Sequence, residues 1–133
     1  MTLEANKAVV RRLFDEVINR GELAVADELF APEHVHRMSD REFHGPAGAK
    51  ALFAGIRQAF PAVEMAIEAM AAEGDTVAVL FAVRATHGAT GKAVAYEGVD
   101  FFRLANGRIV ERRGVVDAAS LQRQLATEPT GAA

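Results

Sequence analysis

The chain has 133 residues, half of them hydrophobic and a quarter charged, which suits one domain built around one core. It has no cysteine, which excludes disulfides, thiolate catalysis and cysteine-ligated metal. The formal net charge of −3 gives no electrostatic ground for nucleic acid or an acidic membrane as partner.

The first residues, MTLEANKAVVRRLF, are charged from the start and lack the apolar stretch and cleavage site of a signal peptide. No apolar run reaches the ~18 residues of a membrane span, so the expectation is a cytoplasmic protein. Residues 3–20 predict a helix, with Val9, Val10, Leu13, Phe14, Val17 and Ile18 on one face and Arg11, Arg12, Asp15 and Glu16 on the other. Gly21 is placed to stop it. Residues 22–30 predict a second, short helix closed off by Pro32. HVHRMSDREFHGP, residues 34–46, is polar and predicts an irregular connection. A third helix is expected over 46–59, with Pro46 near its first turn and Leu52, Phe53, Ile56 and Phe60 on its apolar face.

Beyond Pro61 the period changes from helical to alternating. Residues 63–73, 76–87, 92–104 and 108–117 predict four strands, separated by Gly74-Asp75, by Gly88-Ala89-Thr90-Gly91 and by Asn106-Gly107. Asn-Gly favours a two-residue type I′ hairpin. A last helix over about 118–126 carries Leu121 and Leu125 back to the core. The tail TEPTGAA, residues 127–133, predicts disorder. Helices on one side of a curved antiparallel sheet make an α+β domain over residues 1–126.

The last hairpin carries the chemistry. With Asn106 and Gly107 as the loop, Ala105 faces Arg108, Leu104 faces Ile109, Phe102 faces Glu111, Asp100 faces Arg113 and Tyr96 faces Asp117. Alternation then puts Tyr96, Asp100, Phe102, Glu111, Arg113 and Asp117 on one face. Arg112 falls on the other and reads as a solvated charge, as do Arg11, Arg12 and Lys92. A single β-bulge would exchange the faces beyond it. Asp100 and Arg113 form either a cross-strand ion pair or part of a site. Asp117 is either the N-cap of the final helix or a carboxylate whose pKa a pocket raises. A buried Tyr96 hydroxyl would orient that carboxylate or polarise a carbonyl.

His34, His36, His44 and His87 lack the spacing of a zinc pair and have no carboxylate cluster beside them, so no metal is expected. His36 and His87 are candidate pocket residues, and His44 reads as surface. Phe14, Phe53, Phe60 and Phe102 are candidate pocket wall, suited to a flat hydrophobic ligand.

The succession FDEVINRGELAVADELFAPEHV, FHGPAGAKALFAGIRQAFP, AEGDTVAVLFAVRATHGA, VDFFRLANGRIVERRGVVD and LQRQL resembles the SnoaL-like polyketide cyclases of the nuclear transport factor 2-like superfamily. The resemblance implies a cone-shaped barrel, in which a curved sheet wraps the N-terminal helices around an internal pocket. It implies no metal or organic cofactor, and a homodimer formed through the outer face of the sheet around Glu97, Val99, Phe101, Arg103 and Val110. It implies intramolecular aldol cyclisation by an aspartate that removes a proton α to a carbonyl, or isomerisation by the same chemistry. That aspartate carries over onto Asp117, assisted by Tyr96, Asp100 or His36. Arg113 stands where many relatives have Trp, and Asp100, Arg113 and Asp117 supply the residue types of the Asp-Arg-Asp cluster of epoxide hydrolases on this fold. The superfamily also contains binding modules that catalyse nothing.

Overall fold

The computed structural model describes residues 2–38 and 40–126. The tail expected to be disordered, 127–133, lies outside the described residues. Helix α1 (Leu3–Arg12) starts at Thr2, whose hydroxyl accepts from the Ala5 amide at 3.0 Å, and widens into a π-helical stretch over Leu13–Asn19. A 3-10 turn (Leu23–Val25) leads into α2 (Ala26–Leu29). Then follow β1 (Phe30–Arg37), β2 (Glu42–His44), α3 (Gly45–Ala59), β3 (Glu64–Glu73), β4 (Thr76–Thr86), β5 (Ala93–Ala105), β6 (Arg108–Val116) and α4 (Ala118–Ala126).

The six strands form one curved, unclosed sheet in the order β2-β1-β6-β5-β4-β3. The polar segment expected to be irregular supplies two of them. Its alternation is visible once paired: Val35 and Arg37 are half-buried on one side while His34 and His36 are buried on the other. β1 runs parallel to β6, so the sheet is mixed rather than wholly antiparallel. The π-helical stretch buries Leu13, Phe14, Val17 and Ile18 against the sheet, and Phe53 reaches the same core from α3. Two side chains fasten the helical layer. Asn19 donates to the Met65 carbonyl at 2.9 Å and accepts from the Met65 amide at 2.7 Å. Arg57 donates to the Ile18 carbonyl at 3.0 Å, one of the acceptors a helix end leaves unpaired.

The β5–β6 turn has the expected form, with φ of 52° at Asn106 and 77° at Gly107. Ala105 pairs with Arg108 and Leu104 with Ile109, as the turn dictates. The register then shifts: Arg103 pairs with Glu111, Phe102 with Arg112, Phe101 with Arg113 and Asp100 with Gly114. Val110 is the extra residue of a β-bulge, and Ile109 and Val110 are both buried. The expected pairs Asp100–Arg113 and Phe102–Glu111 therefore do not form.

Beyond the end of β6, Gln124 of α4 takes up the free backbone of β5. Its Oε1 accepts from the Ala95 amide at 2.8 Å and its Nε2 donates to the Ala95 carbonyl at 2.6 Å. Leu121 and Leu125 pack against the core from the same helix. Inside the sheet, Gly98 lies against the Phe81 ring, where any Cβ would collide with the ring's far edge. Gly98→Ala should therefore lower stability by about 1–3 kcal/mol through overpacking. The penalty should shrink in a Phe81→Leu background, because the two residues share one space. Urea denaturation of the two single variants and the double variant measures this.

Candidate functional site

The bulge at Val110 turns Arg112 inward and Arg113 outward. Arg112, expected to be solvated, is 5 % exposed, and Asp100 is 3 % exposed. The guanidinium donates to Asp100 Oδ2 from Nη2 at 2.7 Å and from Nε at 3.1 Å. It also lies 5.4 Å from the ring centres of Phe53 and Phe102, a cation–π arrangement on each. Asp100 Oδ1 receives no hydrogen bond among the described residues. That oxygen occupies the space a side chain at position 114 would fill, so only glycine there leaves the carboxylate room.

His36 is the register partner of Arg112 across the parallel β1–β6 pair, and His34 precedes it on the same face. Burial, with the positive charge of Arg112, lowers the pKa of His36 to about 2 and that of His34 to about 4. Both imidazoles are neutral near pH 7. His34 packs on the Phe30 ring at 4.4 Å. Phe14 packs against Phe102 at 6.4 Å and against Phe81 at 5.5 Å. The concave face thus joins one carboxylate, one guanidinium and two neutral imidazoles within aromatic walls. Such a set can remove a proton, hold a charge and donate to a developing oxyanion. Among the described residues, no group of three or more His, Cys, Asp or Glu is placed to hold a metal ion.

The other expected site residues lie elsewhere. Asp117 is exposed and caps α4: its Oδ1 accepts from the Ser120 amide at 3.0 Å, and its own amide donates to the Glu97 carbonyl at 2.8 Å. Half-buried Tyr96, whose hydroxyl burial makes harder to ionise, shares with Asp117 and Ser120 an open groove of about 300 Å³. Phe60 and His87 meet each other at 5.4 Å, beside the turn before β5. His87 Nδ1 is 2.9 Å from Thr90 Oγ1 within that turn. Arg113 lines a surface groove of about 370 Å³ with Arg37, Met38, Val99, Phe101, Gly114 and Val115 on the convex face. The Asp-Arg-Asp cluster is accordingly not assembled, because its arginine faces away from Asp100 and its second aspartate is a helix cap. Arg112 and His34 are members of the concave-face cluster that the sequence pattern did not place there. The doublet Ile109-Val110 interrupts the alternation and was the available sign of the bulge.

The sequence model of the SnoaL-like polyketide cyclases matches residues 8–125. The chain belongs to this family. A crystal structure from Jannaschia sp. CCS1, a candidate SnoaL-like polyketide cyclase, superposes with a TM-score of 0.87 at 26 % identity, covering 95 % of this chain and 94 % of that one. AclR from Streptomyces galilaeus, a candidate hydroxylase, gives 0.83 at 27 % identity over 96 % of this chain and 89 % of that one. An NTF2-like protein of unknown function from Burkholderia pseudomallei K96243 gives 0.82 at 21 % identity, over 96 % of this chain and 100 % of that one. No curated protein matches the chain. Similar coordinates thus carry different names, and the reaction has to be argued from the site.

The histidines link this SnoaL-like fold to pH. Each has a folded pKa below its ordinary 6.5, so below that pH the unfolded chain binds the extra protons. Stability should be full above about pH 6.5 and fall below it, by about 1.4 kcal/mol per pH unit for each histidine. For His34 the fall levels off near pH 4. Urea midpoints between pH 7.5 and 4.5 should show the decline, and His34→Leu with His36→Leu should flatten it.

Proposed function

We propose that this SnoaL-like protein is a cofactor-independent enzyme acting on a hydrophobic carbonyl compound by acid/base chemistry, with Asp100 rather than Asp117 as the base. The observation that carries this reading is the divided carboxylate of Asp100. Arg112 holds Oδ2 with two hydrogen bonds, while Oδ1 is left without a partner among the described residues. Oδ1 takes the proton α to a carbonyl. Neutral His36 donates to the carbonyl oxygen as it gains charge. The resulting carbanion either attacks a second carbonyl in the same molecule, whose oxygen is then protonated, or is reprotonated at a conjugated carbon. The first outcome is an aldol ring closure and the second an isomerisation.

A non-catalytic reading has one observation in its favour. The side chains of Asp100 and Arg112 are 4 % and 6 % exposed, the enclosure expected of a structural ion pair. The two readings separate on turnover. The protein is incubated with polyketide-derived β-carbonyl esters and β,γ-enones, and products are followed by chromatography and mass spectrometry. Asp100→Asn, which preserves shape, should lower the rate by about 10²-fold or more. Asp117→Asn should stay within a few-fold and keep most of its stability, because asparagine caps a helix about as well as aspartate. Equal losses in both variants would overturn the choice of Asp100 over Asp117 as the base, and no turnover by the parent protein would favour the binding module.

The convex face suits a second copy of the chain. Val99, Phe101 and Val115 are 36, 54 and 65 % exposed there. They lie between Arg113 and Glu97, opposite charges that a two-fold axis would bring together. Phe101→Glu should turn a dimer into a monomer in light scattering behind size exclusion, with the circular dichroism spectrum unchanged.

A further inference from the structure

His34 is the buried polar side chain that neither the fold nor the proposed proton transfer uses. It is 1 % exposed, and neither Nδ1 nor Nε2 has a hydrogen-bond partner among the described residues. Asn6 Oδ1 is the other such atom there, and it belongs to α1, away from the strands that carry the cluster. Folded proteins pair their buried polar groups, and a neutral imidazole has one donor and one acceptor to satisfy. A side chain that only filled the space beside Phe30 would do so at lower cost as a leucine. The ring instead stands next to His36 and in the field of Arg112, on the face that holds Asp100.

We propose that His34 is a ligand-binding residue, hydrogen-bonded through its ring to an oxygen of the uncharged carbonyl compound on which Asp100 acts. This rests on the reading of the site given above. The charges of Asp100 and Arg112 cancel and both imidazoles are neutral, so the cluster attracts no net charge. It offers hydrogen bonds to a polar but uncharged group. An enolisable 1,3-dicarbonyl has a carbonyl oxygen to accept and an enol hydroxyl to donate, and so meets either tautomer of the ring.

The test uses the full chain, labelled with ¹⁵N-histidine, and benzoylacetone as the probe. Ring-nitrogen spectra and a binding isotherm are recorded for the parent protein, His34→Leu, His34→Gln and Asp100→Asn. Benzoylacetone should shift the His34 ring nitrogens. His34→Leu should bind about tenfold more weakly while melting at or above the parent temperature, and His34→Gln should keep part of the affinity. Lost binding together with a lowered melting temperature would make His34 a structural residue and overturn the proposal. Undiminished binding by His34→Leu would overturn it too. In both cases the site reading survives if His36 still responds and Asp100→Asn still weakens binding. No shift at either histidine in the parent protein would overturn the proposal and the site reading together.

Discussion

The ion pair between Asp100 and Arg112 is the interaction around which the concave face is organised. Two buried charges of opposite sign are tolerated because their geometry is close and their walls are aromatic. The pair exists only because β6 gains one residue at Val110, which turns Arg112 inward. It also depends on Gly114, since any side chain there would displace the carboxylate. A bulge, a glycine and a salt bridge are thus one device distributed over two strands.

Arg112 acts on each of its polar neighbours. It binds the Asp100 carboxylate through two hydrogen bonds and disfavours the charged form of the imidazoles beside it. An ion-paired carboxylate and neutral imidazoles therefore stand together on one face. Such a set is what the proposed acid/base chemistry on a carbonyl would use. Burial strengthens both effects by removing the water that would screen them.

The rest of the fold holds the helical layer over this face. Asn19 and Arg57 tie the end of the N-terminal helix to β3 and α3, and Gln124 ties α4 to β5. Asp117, which the family resemblance marks as the catalytic aspartate, is committed to the start of α4. Cap and base are different tasks for a carboxylate. The cap wants backbone amides and solvent, whereas Asp100, the base proposed above, is enclosed with one oxygen free of partners among the described residues.

Local pattern alone determined the helices, the four long strands and the Asn106-Gly107 turn, because helical and alternating periods are properties of neighbouring residues. It also placed Tyr96, Asp100 and Phe102 on the concave face, since β5 has no bulge at those positions. The family was legible for the same reason, as the order of its short motifs follows the order of the elements. What lay across a bulge was not legible. One extra residue exchanges the faces of a strand, so Glu111, Arg112 and Arg113 all lie on the face opposite to the one that strict alternation from the turn gives them. β1 was hidden as well, because its partner β6 is remote in the chain and its inward residues are histidines rather than apolar side chains. Tertiary structure alone decided that His34 and His36 would be buried beside Arg112, because that proximity is set by a parallel pairing between strands more than seventy residues apart.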